Sequence, residues 1–143
     1  MKTSTRHLYQ QARRAGYDAK FALRIAKTAE KFRARSDVRI IAEPELESYF
    51  DVYGEPDGYT DTHGRYVTPE QERQSICETL DRDGCWLVVA EWFNHETEEW
   101  EQADSVGMCV YSDPCDPIEN CYVAQLMQSA LDAAEANDES YVI

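Results

Sequence analysis

Gly84-Cys85-Trp86-Leu87-Val88-Val89-Ala90-Glu91-Trp92-Phe93, followed by Asn94-His95-Glu96-Thr97-Glu98, is the stretch that decides the fold. Trp86, Val88, Ala90 and Trp92 alternate with Leu87, Val89 and Phe93, so apolar side chains leave the backbone on both sides. This pattern reads as a central strand covered on two faces. Asn94 to Glu98 is a polar turn. Beyond it Trp100, Val106, Met108 and Val110 recur at even spacing, which makes the next tract a return strand or a pair of strands, with Gly107 placed for a bulge. Upstream, Val38-Arg39-Ile40-Ile41-Ala42 is a further strand. Glu43-Pro44-Glu45 stops it or confines it to an edge, because proline donates no ladder hydrogen bond. Glu45 to Tyr53 fits either a strand or a short helix.

Helices flank this sheet. Thr68-Pro69-Glu70-Gln71 sets an N-cap, a first-turn proline and a capping-box glutamine at their expected offsets, starting a helix to about Leu80. Asp116-Pro117-Ile118-Glu119 has a similar signature and opens a last helix to about Ala136. Its broad apolar face runs from Ile118 and Tyr122 through Val123, Leu126, Met127, Ala130, Leu131 and Ala134, and Asn137 to Ser140 forms a polar tail. Between the strands, Gly54 to Tyr66 holds three glycines and a proline and reads as a loop. At the N-terminus one helix spans about Thr5 to Ala15, closed by Gly16, and Asp18 caps a second from Ala19 to about Arg35. Phe21, Ala22, Ile25, Ala26, Ala29 and Phe32 share one face of the second helix, and Lys20, Arg24, Lys27, Lys31 and Arg35 line the opposite one. The expected fold is therefore α+β: a basic αα-hairpin (1–36), then an acidic domain (37–143) with a mainly antiparallel sheet of three or four strands packed by two further helices. The two parts are expected to form one compact unit.

Charge divides the same chain. Residues 1–39 carry eleven basic side chains against three acids, or +8, whereas residues 40–143 carry three arginines against 25 acids, or −22, giving −14 overall. The basic helices can dock on their own acidic domain, touch nucleic acid, or meet an acidic partner. The net charge disfavours nucleic-acid binding by the surface as a whole, so any such contact has to be local. At 143 residues the chain is one domain's worth of protein, and 43% hydrophobic content with nine Tyr and three Trp places it among chains that fold. No apolar run approaches a membrane span, the longest being Cys85 to Ala90, so a cytoplasmic protein that does not engage membranes is expected. Five cysteines with no Cys-x-x-Cys point to reduced thiols.

Signatures of dinucleotide, P-loop, serine-hydrolase, zincin and EF-hand chemistry are absent from the sequence. Asp61 and His63 can supply two ligands or an acid/base pair, and Cys109, Cys115 and Cys121 lie close in sequence. Neither set matches a familiar ligand spacing, and no cofactor or metal is expected. The carboxylates are the stronger signal. Glu43, Glu45, Glu47, Asp51, Glu55, Asp57 and Asp61 form one group, and Glu91, Glu96, Glu98, Glu99, Glu101 and Asp104 form another around the hairpin. In extended chain, alternate carboxylates lie on one side about 6.8 Å apart and can imitate a phosphate backbone. A solvated, solubilising face is the plainer reading, but Tyr49, Tyr53, Tyr59, Tyr66, Trp92 and Trp100 are interleaved with these acids, and Tyr and Trp are favoured interface anchors.

Trp100-Glu101-Gln102-Ala103-Asp104-Ser105-Val106, with Ile118 to Ala133 beyond it, resembles the C-terminal part of small acidic proteins carried by bacteriophages and plasmids. Arg14-Ala15-Gly16-Tyr17 with Phe21-Ala22-Leu23-Arg24-Ile25-Ala26 is similar to their N-terminal helices. The resemblance covers about half the chain and carries no activity. It implies a mobile-element context, in which small acidic inhibitors of CRISPR or restriction complexes occur. The expected function is that of an anti-defence inhibitor in the bacterial cytoplasm. Its acidic face (Glu43, Glu45, Glu47, Asp51, Asp57, Asp61, Glu96, Glu98, Glu99, Trp100, Glu101) would block a basic groove of a host nucleic-acid-processing complex. The alternatives are a nucleic-acid-linked regulator using the basic helix and a small metal-dependent enzyme.

Overall fold

The computed structural model describes residues 2–140 of the chain. Its centre is the strand foreseen around Val88: β4 (Trp86–Asn94) lies between β1 (Val38–Pro44) and β5 (Glu99–Cys109) in a three-stranded antiparallel sheet. The remaining elements are α1 (Thr3–Arg14), α2 (Ala19–Arg33), α3 (Tyr49–Tyr53), β2 (Tyr59–Thr60), β3 (Tyr66–Val67), α4 (Pro69–Asp83) and α5 (Val123–Ser140). The class is α+β with an N-terminal helical hairpin. Glu45 to Tyr53 resolves as the short helix α3. The glycine-rich tract from Gly54 contains a small hairpin, with Tyr59 paired to Val67 and Thr60 to Tyr66.

The period-2 pattern sorts the two sheet faces. Val88 and Ala90, flanked by Trp86 and Trp92, join Val38, Ile40, Val106 and Cys109 against Leu126, Ala130 and Ala134 of α5. On the opposite face only Val89 of the β4 row is buried, Leu87 and Phe93 are half-buried, and Arg39 reaches Glu91 at 2.7 Å. Of the two long helices that follow the hairpin, α5 packs deeply. Along α4 no residue is buried, and Ile76 and Leu80 share a shallow cavity of about 270 Å³ with Tyr49 and Val110.

The basic hairpin has no core of its own. Leu8 and Ala12 of α1 and Ala22, Ile25, Ala26 and Ala29 of α2 form one cluster with Val123, Ala124 and Met127 of α5. The Tyr17 hydroxyl donates to the Ile118 carbonyl at 2.7 Å. Residue 36 is thus a charge boundary inside a single packed body. The Asp18 cap forms as expected, accepting from the Phe21 N–H at 2.7 Å, and the Thr68/Gln71 capping box is complete.

Two expectations need correction. The last helix begins at Val123, not at Asp116. The Asp116 carboxylate accepts from the Ile118 N–H, and Glu119 turns back to the Ser112 N–H and hydroxyl. Buried Asn120 donates to the Pro114 carbonyl and accepts from the Tyr122 N–H. These side chains give the backbone partners that compete with a helical ladder, so 112–122 forms a tight turn and Tyr122 is exposed rather than part of the buried face. At the other end α5 runs on through 137–140, and Asn137 is buried within it rather than starting a polar tail. The bulge expected at Gly107 is present: β5 places Gly107 and Met108 between the partners of Val88 and Trp86. The left-handed residue is Met108 (φ 54), while a Cβ at Gly107 would lie 2.9 Å from the Glu45 carboxylate and would have to displace it.

Candidate functional site

Pro44 ends β1, and Glu45 closes the junction. Its N–H donates to the Cys85 carbonyl, and its carboxylate accepts from the Leu46 N–H and from the Met108 N–H at the bulge. Glu45 is therefore an internal brace, not a free acid. The chain then turns outward, leaving Leu46 97% exposed between Glu45 and Glu47. In α3, Tyr49 packs edge-on to Phe50 and at 4.7 Å from Tyr53. The Arg73 guanidinium lies 4.1 Å above the Phe50 ring and pairs with Glu55 at 3.3 Å, so Phe50 and Glu55 are also engaged internally. The Asp61 carboxylate accepts from the backbone N–H groups of His63 and Arg65, both at 2.9 Å. It shapes the hairpin turn instead of pairing with the His63 ring.

What remains outward here is a mixed acidic and apolar surface. Glu43, Glu47, Asp51 and Asp57 are exposed, and so are Leu46, Val52, Tyr53, Tyr59 and Tyr66. Those five are most of the seven large hydrophobic side chains exposed among the described residues, and they fall within 21 positions. Since isolated exposed apolar side chains are ordinary, it is this concentration that marks the surface. The regular row of carboxylates does not form. Of the described acids in this first group only Glu43 lies in extended strand with its side chain free, because α3 interrupts the alternation at Tyr49.

The second acidic group is dispersed. Glu96, Glu98 and Glu99 are exposed at the β4–β5 turn. Glu101 accepts from the Asn94 amide, Glu91 pairs with Arg39, and Asp104 accepts from the Ser105 N–H and the Ser129 hydroxyl. Trp100 is half-buried beneath the Arg39 guanidinium at 4.1 Å and edge-on to Phe93 at 5.4 Å, which makes it part of the sheet face rather than a free anchor. Glu43 sits opposite Leu87 and Glu99 opposite Asn94. Glu43 and the exposed acids of the β4–β5 turn therefore lie at opposite ends of β4, separated by about 20–25 Å of strand.

The cations of α2 also divide. Lys20, Arg24, Lys27 and Lys31 are exposed, and among the described residues none of them is in an ion pair. Arg35 leaves the stripe: it lies past the end of α2, half-buried, bonded through two nitrogens to Asp37 at 2.8 Å and to Asp138 at 3.1 Å. Its hydrogen bond and charge hold the Asp37 carboxyl below its ordinary value, against the opposing effect of burial. The hairpin thus docks on the rest of the chain through its apolar face and turns its charge outward.

All five cysteines are free thiols. Burial raises the pKa of Cys85, Cys109 and Cys115, which works against a thiolate nucleophile, while Cys121 is exposed. Among the described residues no three His, Cys, Asp or Glu side chains come together in a way that could hold a metal ion. Sequence reasoning missed Leu46 and Val52. The available signal was Glu43-Pro-Glu-Leu-Glu47, a large apolar residue among acids that belongs to neither a helical nor a strand period. No family model, curated protein or solved structure matches this chain.

Proposed function

We propose that this chain is a binding protein rather than an enzyme, and that the surface from Glu43 to Tyr66 docks into a basic, nucleic-acid-binding groove of a host protein complex. The role is the anti-defence inhibition implied by the resemblance to phage and plasmid proteins, exercised in the bacterial cytoplasm. The observation that carries the reading is Leu46, 97% exposed, with Val52, Tyr53, Tyr59 and Tyr66 close by in sequence and free carboxylates among them. Apolar and tyrosyl side chains supply contact area at an interface core, while carboxylates steer the approach to a basic surface and suppress other partners. No described helix is long and apolar enough to cross a membrane.

The test is capture from host lysate at low salt, followed by competition. The expected result is a basic nucleic-acid-binding protein that elutes as salt rises and that loses its DNA or RNA when this chain binds. Leu46→Asp combined with Tyr53→Ala, both at exposed positions, is expected to abolish capture with the fold unchanged. Equal capture by that variant, or a captured protein that keeps its nucleic acid, would overturn the proposal.

A further inference from the structure

On the opposite side of the charge division, α2 presents a surface that the first proposal does not use and that does not depend on it. Nine of the eleven basic residues before position 40 are exposed, and among the described residues none of the nine is in an ion pair, although the chain has twice as many acids as bases. On α2 the exposed cations Lys20, Arg24, Lys27 and Lys31 recur every three or four residues and span about 16 Å of helix axis. Beside them a groove of about 410 Å³ runs between α2 and α5, lined by Phe21, Arg24, Thr28, Cys121, Ala124, Gln125 and Gln128. Among the described residues no carboxylate lines it. The nearest acids named by a contact are Asp18, which accepts from the Phe21 N–H at 2.7 Å, and Asp132, which accepts from the Gln128 amide at 2.8 Å. Phe21 stands at one wall with its ring 5.2 Å from that of Tyr17.

We infer that this face binds single-stranded nucleic acid, with phosphates along Lys20, Arg24, Lys27 and Lys31 and an unstacked base in the groove against Phe21. A row of cations beside an aromatic wall is the arrangement that single-strand binders use. The phosphates supply the affinity, and a ring with an amide at its edge accepts a base. Gln125 supplies that amide, with both a donor and an acceptor. An acidic peptide would match the cations, but its carboxylate side chains offer no ring to stack on Phe21. The −14 net charge weakens long-range steering but is screened beyond about 8 Å at physiological ionic strength, so contacts made at the stripe itself survive it.

Fluorescence anisotropy with labelled 15-nucleotide single-stranded DNA and RNA tests this, using the full chain at low and moderate salt. Micromolar binding is expected, weakening by about 20–50-fold between 50 and 200 mM salt for three or four phosphate contacts. Arg24→Glu with Lys31→Glu should abolish it, Gln125→Ala should weaken it several-fold without altering the salt slope, and duplex of the same sequence should bind less tightly. Circular dichroism of each variant guards against misfolding. Leu46→Asp should leave it unchanged, which separates this outcome from that of the Glu43–Tyr66 surface. Absence of binding at 50 mM salt, binding unaffected by the double reversal, or equal affinity for poly-glutamate would overturn the inference.

Discussion

Gly84 follows α4 at φ 78 and ψ 169, a region open in practice only to glycine, and a Cβ there would lie 2.7 Å from the Trp86 indole nitrogen. That indole donates to the Asp83 carbonyl at 2.9 Å, so Trp86 cannot swing away without losing the bond. Gly84→Ala is expected to cost about 2 kcal/mol or more in urea unfolding, from backbone strain together with displacement of Trp86. Asp37 sets a second expectation. Because its carboxyl is held low in the folded state by Arg35, its contribution is present above the ordinary carboxylate value and lost as pH falls through the depressed one. Asp37→Asn should therefore be destabilising near pH 7 by about 1 kcal/mol, and the difference from the natural protein should vanish in acid unfolding below the depressed value.

Among the elements, α4 and α5 are opposites. Eight of the described side chains of α5 are buried, whereas α4 is held by its capping box, by Glu72 accepting from the Gly58 N–H, and by half-buried Ile76 and Leu80. Local stability follows burial, so amide exchange should show α4 opening well below the global unfolding free energy, with β4 and α5 opening only near it. Thr68→Ala should weaken α4 by about 1 kcal/mol, seen as faster exchange through Pro69–Asp83 while the melting temperature hardly moves. Uniform protection across α4 and α5 would contradict this division.

At the scale of the molecule, α5 joins the hairpin core to the sheet core, so damage on either side should propagate. Ile25→Ala, at a fully buried position among α1, α2 and α5, should cost about 2–5 kcal/mol and melt the chain in one transition rather than releasing a folded acidic remainder. Arg24→Glu with Lys31→Glu should leave the melting temperature within about 2 °C, since exposed charges without partners contribute little to stability. That contrast separates what holds the hairpin, its apolar face, from what it offers outward, its charge.

Where a residue's role followed from a strand period, a helix period or a cap offset, the sequence alone determined it. The alternation from Trp86 to Phe93, the caps at Asp18 and Thr68, the apolar face of α2 and the charge boundary near residue 39 were all legible, because strand and helix periods and cap offsets are local. The tertiary structure decided the fate of side chains that find partners far along the chain or choose backbone over solvent. Glu45 reaches Met108 and Arg35 reaches Asp138, removing both from the surfaces that composition assigned them. Asp116, Glu119 and Asn120 spend their hydrogen bonds on a turn and delay α5 to Val123. Leu46 is the converse case: it belongs to neither a helical nor a strand period, and it stays uncovered because the strand before it ends at Pro44 and no described element packs over it. A sequence lists which groups can pair, and only the folded chain fixes which pairs are close enough to form.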